Sequence, residues 1–273
     1  MFPFKIALNS STLFPYELSL HDQIRIASQA GYEGIELWVK DIDLYLEQGG
    51  NLAELKAFAE EQRVEIVNAI AFWTWADENP EERAKGLAHA KKEMAILSEL
   101  GCPAAAAPPF GNVANTSLES IAEAYRNLFE AGQSLGVTPI LEFWGRADKL
   151  STLGEAIHVA VASGVPTCPL LLDPFHMYTG GTTVDSLAYL KKEYIGIVHV
   201  NDYPSAPHRE VIEDKHRVFP GEGVAPSRRF AEHLHAVGYT GYLSLELFFQ
   251  SPEGSPEELV KRGMDRIRTT YAL

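Results

Sequence analysis

Leu135-Gly136-Val137-Thr138-Pro139-Ile140-Leu141-Glu142-Phe143-Trp144 holds the pattern from which the rest of the chain is read. An amphipathic stretch, 121–135, stops at a glycine, the residue that accepts a left-handed helix cap without strain. A short apolar run, 138–144, follows, with the length and flanks of a buried strand. One carboxylate, Glu142, lies inside the end of that run. Outward in both directions the same helix–glycine–strand junction recurs, at Ala30-Gly31-Tyr32, Leu100-Gly101-Cys102, Ser163-Gly164-Val165 and Val237-Gly238-Tyr239. Strands are expected at 5–9, 34–38, 65–70, 104–107, 138–144, 169–173, 196–201 and 242–247. The clearest helices are expected at 53–61, 81–100, 121–135 and 257–269. Asn79-Pro80-Glu81-Glu82 and Ser255-Pro256-Glu257-Glu258 are helix starts: a polar cap, proline in the first turn, then carboxylates near the positive end of the helix.

Eight βα units of about 34 residues fill the chain without a leftover linker, which points to an α/β fold, a single (β/α)8 TIM barrel over residues 1–273. A doubly wound sheet is the alternative. It usually places a glycine-rich loop after its first strand, and Asn9-Ser10-Ser11-Thr12 is not one.

With 273 residues, 46% of them hydrophobic, there is material for a large core. The net charge of −14 repels nucleic acid and anionic membranes. The partner implied is a small neutral molecule, with no nucleic acid and no membrane, and a homo-oligomer is compatible with all of this. Cys102 and Cys168 sit beside expected buried strands and read as reduced core thiols. There is no charged-then-apolar leader at the start and no apolar run near the roughly 18 residues of a span. A cytoplasmic location is expected.

Barrel active sites lie at the C-terminal ends of the strands. There the chain reads Leu141-Glu142-Phe143-Trp144, Leu172-Asp173-Pro174-Phe175-His176, Val198-His199-Val200-Asn201-Asp202 and Leu245-Glu246-Leu247-Phe248. An unpartnered buried carboxylate costs several kcal/mol. Separate hydrogen bonds or salt bridges explain one such residue easily. Four on consecutive strands point to a shared cation. Three carboxylates and an imidazole suit one divalent ion such as Mn²⁺, Co²⁺, Mg²⁺ or Zn²⁺. The metal ligands are therefore expected to be Glu142, Asp173, His199 and Glu246, with Asp202 placed to orient His199 or another ligand from behind. The long irregular stretch 203–223 is of a length that usually has a function. From it Arg217 can reach over the site to a substrate oxygen, and His176 stands beside it. Aromatic residues crowd the strand ends (Phe14, Tyr16, Trp38, Phe72, Trp73, Trp75, Phe110, Trp144), a lining that suits a sugar-like ligand. Trp73 and Trp144 are taken as its substrate contacts.

At these residues the chain resembles the xylose-isomerase-like TIM barrels, a superfamily of ketose 3-epimerases, inosose isomerases, inosose dehydratases and endonuclease IV. The resemblance is nearest to the inosose isomerases. It runs through Leu8-Asn9-Ser10-Ser11-Thr12, Asn68-Ala69-Ile70-Ala71-Phe72, Leu141-Glu142-Phe143, Asp173-Pro174-Phe175-His176, His199-Val200-Asn201-Asp202, Arg217-Val218-Phe219-Pro220-Gly221-Glu222-Gly223 and Glu246-Leu247-Phe248. It implies the four metal ligands above, substrate contacts from His176 and Arg217, and an acid–base pair in Glu142 and Glu246. Ketose epimerases carry a second glutamate shortly after the strand-five ligand, where this chain has Gly145-Arg146-Ala147-Asp148, with the shorter Asp148. The reaction implied is isomerisation or epimerisation of a small polyhydroxy ketone through an enediolate. The alternatives are loss of water from the same enediolate, an endonuclease IV-like repair activity and a non-catalytic sugar-binding barrel. Endonuclease IV needs a histidine-rich three-metal cluster fed by the early strands, and the ends of strands two to four have no histidine.

Overall fold

The computed structural model describes residues 2–252 and 254–273. Eight parallel strands, β1 (Lys5–Asn9), β2 (Gly34–Trp38), β3 (Glu65–Ile70), β4 (Ala104–Ala107), β5 (Thr138–Glu142), β6 (Leu170–Leu172), β7 (Ile195–Val200) and β8 (Tyr242–Leu245), pair in sequence order. β1 pairs with β8 (Lys5 with Tyr242, Leu8 with Leu245), so the sheet closes on itself. The expected barrel is what forms. Outside it lie α1 (Leu20–Ala30), α2 (Val39–Glu47), α3 (Leu52–Gln62), α4 (Pro80–Leu100), α5 (Leu118–Leu135), α6 (Leu153–Ser163), α7 (Pro174–Gly180), α8 (Ser227–Ala236) and α9 (Pro256–Thr270).

The local signals act as expected. Asn79 accepts from the Glu81 amide at 2.9 Å, and Ser255 and Glu258 form a reciprocal capping box. Gly136 ends α5 at φ +72°; a β-carbon there has open space around it, so the conformation rather than crowding calls for glycine. Cys102 and Cys168 are both buried free thiols, and burial pushes each up to about 12.

Period-two alternation places the site. Ile70, Ala104, Ala106, Ile140, Leu171 and Ile197 fill the barrel interior as one apolar cluster. Two residues beyond Ile140 and Ile197, on the same inward face, stand Glu142 and His199. Four strands end earlier than expected, at Glu142, Leu172, Val200 and Leu245. Past these points the backbone turns to other partners: the Trp144 amide donates to Leu150 O at 3.1 Å, and the Leu247 amide to Thr12 Oγ1 at 3.1 Å. After β6, Asp173 caps α7, its Oδ1 accepting from the Phe175 amide at 2.7 Å. Asp173-Pro174 thus follows the same cap-then-proline rule as Asn79-Pro80, and α7 holds His176 beside the barrel mouth. No helix among the described residues is long and apolar enough to cross a membrane.

Candidate metal centre

Three of the four expected ligands converge: Asp173, His199 and Glu246 place one ligand atom each within 4.8 Å of one another, all buried. Asp173 divides its oxygens. Oδ1 takes the Phe175 amide and, at 3.1 Å, Asn201 Nδ2, which leaves Oδ2 to face the cluster. His199 is 1% exposed. Its Nε2 lies 3.1 Å from Glu36 Oε1, on the side away from the cluster. Its Nδ1 makes no hydrogen bond, although Glu246 Oε2 is 3.1 Å away and Asp173 Oδ2 3.9 Å. A buried imidazole nitrogen aimed between two carboxylates is the donor set of a divalent-ion site. Glu142 stands apart from this trio, with Oε1 3.7 Å from His176 Nε2.

Arg217 reaches the centre because the loop carrying it is tied to the end of β7. Asp202 and Val218 pair as an antiparallel bridge, with both backbone bonds at 2.9 Å. Asp202 does not orient His199. Its carboxylate accepts instead from the amides of Tyr203 (2.8 Å), Ala225 (2.7 Å) and Gly221 (3.0 Å), and so folds the loop. The Arg217 guanidinium lies between the rings of Phe175 and Phe248, 4.5 and 5.2 Å from their centroids. Nη1 donates to Asp173 Oδ2 at 2.6 Å and to Glu246 Oε2 at 2.7 Å. Nη2 donates to Asp214 Oδ1 at 2.6 Å and lies 3.4 Å from His176 Nε2.

These environments separate the acid groups. Burial pushes the Glu142 carboxyl up to about 8; Glu246 and Asp173 add to the rise, and His199 opposes it. Burial acts the same way on Asp173, but Arg217, His176 and His199 overcome it and hold that carboxyl well below its usual range. Burial would lower His199, yet Glu246 and Glu36 raise it well above an ordinary imidazole. Burial lowers His176 to about 4, against Asp173, so it is neutral at pH 7.

The cavity above the centre has a volume of about 680 Å³. Its polar floor is Glu142, His176, His199, Arg217 and Glu246, and its walls include Trp38, Phe72, Phe110, Trp144 and Phe248. Phe72 joins this wall together, with ring centroids 5.3 Å from Trp38, 5.4 Å from Phe110 and 6.0 Å from Trp144. Asp148 and Arg146 lie at the same cavity. Gly145 lets this loop meet α7: a β-carbon there would fall 2.4 Å from His176 O and 2.5 Å from Gly180 N. Trp73, expected as a substrate contact, does not reach the cavity. It is absent from the lining and 0% exposed, with Nε1 donating to Glu93 Oε2 at 2.5 Å. Trp75 is likewise core, bonded to Pro108 O at 2.7 Å. Glu36, on β2, is the polar group that the strand-end reading passed over.

A closed parallel barrel with a carboxylate–imidazole cluster at the C-terminal mouth defines a class of barrel with a candidate metal-assisted active site. The chain belongs to the xylose isomerase-like TIM barrel family, whose model matches residues 24–270. It is 28% identical to the inosose isomerase of Halalkalibacterium halodurans, over 96% of this chain and 94% of that one. It is 25% identical to the 3-dehydroshikimate dehydratase of Pseudomonas aeruginosa, over 87% of this chain and 37% of that longer protein. Its fold superposes on the crystal structure of the IolI protein with a bound zinc atom at a TM-score of 0.88, with 20% identity and 98% of each chain covered.

Proposed function

We propose that this chain is a divalent-metal-dependent isomerase or epimerase of a small, neutral polyhydroxy ketone of the inosose or ketose type. The observation that carries the reading is the unbonded His199 Nδ1 facing Asp173 and Glu246, on the floor of a cavity that also holds Glu142. Asp173, His199 and Glu246, with Glu142 beside them, would hold the ion; when bound it supplies Lewis acidity to a ketone oxygen. Glu142 and Glu246 are the proton carriers. One takes the proton next to the ketone and the other returns one, to the opposite face of the same carbon or to the old carbonyl carbon. Arg217 and His176 donate toward the substrate oxygens and stabilise charge that develops on them. The aromatic walls exclude water and offer flat surfaces to the carbon faces of a polyol. The inosose isomerase and zinc-bearing relatives agree with this chemistry.

Loss of water from the same enediolate is the second reading, favoured by the dehydratase relative. The charge on the cavity weighs against a substrate like the one that relative is named for, 3-dehydroshikimate, which is a carboxylate. Apart from the residues that would hold the ion, Asp148, Glu213 and Asp214 line it, against Arg146 and an Arg217 already paired with Asp173, Glu246 and Asp214. Among the described residues a phosphate also finds no cradle where the sequence offers one. In the one candidate segment, Glu222 is held by Arg262 at 2.7 Å and by Arg266 at 2.9 Å, and the Gly221 amide is spent on Asp202. Unphosphorylated inososes or ketoses should therefore show higher kcat/KM than their phosphates or than keto-acids. A screen of these substrates with Mn²⁺ or Co²⁺, product followed by NMR, checks this, and a preference for a phosphate or carboxylate overturns it.

Metal uptake has its own signature. In the metal-free protein the raised His199 and Glu142 hold protons that a cation must displace, so binding releases protons and weakens as pH falls below about 8. Calorimetry in buffers of different ionisation enthalpy should show that release. Elemental analysis should find about one divalent ion per chain, retained less well by Glu142→Gln, Asp173→Asn, His199→Ala and Glu246→Gln. Equal metal in wild type and all four variants removes the assignment.

A further inference from the structure

Glu36 has no contact with the cavity and no part in the proton transfers, yet it is a carboxylate 0% exposed in the middle of the barrel. Burying such a group is costly unless it is bonded. It is bonded on both oxygens. Asn68 Nδ2 donates to Oε2 at 2.7 Å and Asn9 Nδ2 lies 3.5 Å from Oε1. A further partner is His199, whose Nε2 is 3.1 Å from Oε1 and 3.2 Å from Oε2. Asn9 carries the network onward, donating to Glu246 Oε1 at 3.0 Å and accepting from Trp38 Nε1 at 2.9 Å.

We propose that Glu36 is the positioning residue of the metal centre: it accepts the Nε2–H of His199 and thereby fixes the imidazole as the tautomer whose Nδ1 lone pair faces Asp173 and Glu246. A neutral imidazole has one N–H and one acceptor nitrogen, and the bond made by the first decides where the second points. Here the first is held by an anion that Asn9 and Asn68 keep in place, and the second is Nδ1, which makes no hydrogen bond and is the nitrogen left free when a cation displaces the extra proton of the imidazole. The anionic acceptor also makes Nδ1 a stronger donor to a cation. Asn9 bonds Glu36 and Glu246 with one amide group, so the same residue sets the orientation of the histidine's support and of a second ligand. A merely neutralising ion pair between Glu36 and His199 would predict lost stability without a fixed nitrogen assignment.

The inference rests on His199 as a metal ligand, and its test is read in part without metal. Histidine-labelled protein is followed by proton–nitrogen NMR, metal-free and loaded with zinc. The expected spectrum has a protected His199 Nε2–H in both forms and Nδ1 as the metal-bound nitrogen in the second. Glu36→Gln keeps the shape but not the charge. Its zinc dissociation constant should rise about 10–100-fold, as for other partners of metal-bound histidines, while Glu36→Asp should recover part of the loss. Zinc on Nε2 with the proton on Nδ1 overturns the proposal, as does a folded Glu36→Gln that binds zinc within about twofold of wild type, against the larger loss expected. If Glu36→Gln does not fold, the wild-type resonances decide alone. Failure of wild-type protein to take up zinc counts against the metal reading, whereas a metal-free His199 without its Nε2 proton counts against Glu36.

Discussion

In D₂O the product should carry solvent deuterium at the reacting carbon, and Glu142→Gln and Glu246→Gln should each lower kcat by about 10²–10⁴, the usual contribution of a positioned acid or base. The two carboxyls share a cavity but not an environment. Glu142 is desolvated, raised to about 8, with His176 Nε2 3.7 Å away. Glu246 is clamped by Asn9 at 3.0 Å and Arg217 at 2.7 Å. Glutamine matches either side chain in shape but cannot carry the proton, so a loss of turnover in folded variants shown by elemental analysis to be fully metal-loaded isolates the chemistry. Because each residue serves a different step, one variant should still exchange the substrate's hydrogen with solvent after turnover has gone. Steady-state kinetics and NMR of recovered substrate measure both effects. Product without deuterium at any extent of reaction would instead indicate direct hydride transfer between carbons, and would remove both glutamates from the roles given to them.

The barrel was readable from the sequence because its signals are local. Glycine stops, proline-led helix starts and short apolar runs each report on a few neighbouring residues, and β1 to β4 fall where those runs lie. The candidate ligands stand out for a related reason: a carboxylate or histidine inside an apolar strand is costly, and the cost shows without a structure. Glu36 gave the same signal, in Gly34-Ile35-Glu36-Leu37-Trp38, and was hidden because β2 was judged by its terminal tryptophan. By its nearness in sequence, Asp202 is the expected support for His199 or another ligand. The barrel brings the acceptor for His199 instead from β2, 163 residues away along the chain. Trp73 failed for another reason. β3 ends at Ile70, so period two no longer says which of Phe72, Trp73 and Trp75 faces the cavity, and only Phe72 does. Arg217 was expected over the site and lies at the cavity, but what carries it there is not legible in the sequence. Its reach into the centre depends on the Asp202–Val218 bridge and on three amides gathered by the Asp202 carboxylate.

Arg217→Met should destabilise the metal-free protein by about 3–5 kcal/mol, the cost of leaving a buried charge without its partner. Nη1 bridges Asp173 Oδ2 and Glu246 Oε2, two of the oxygens that an ion in this centre would use. In the metal-free protein the guanidinium therefore offsets the charge that a divalent cation would otherwise offset. Methionine keeps much of the packing against Phe175 and Phe248 but brings no charge, so the loss reports on electrostatics more than on volume. For a chain of this size the melting temperature should fall by about 2–4 °C per kcal/mol. Divalent metal should restore most of it, because binding to the folded state alone stabilises by about 2.7 kcal/mol at a hundredfold excess over Kd. The rate should suffer separately. With metal present, loss of a donor to the substrate oxygens should cost about 10²–10³ in kcat, as for one oxyanion donor. Thermal melts of wild type and Arg217→Met, with chelator and with Mn²⁺, separate the two effects. If Arg217→Met melts with wild type in chelator, the bridge contributes no net stability. If metal stabilises wild type and variant equally, the guanidinium and the cation do not compensate the same carboxylates.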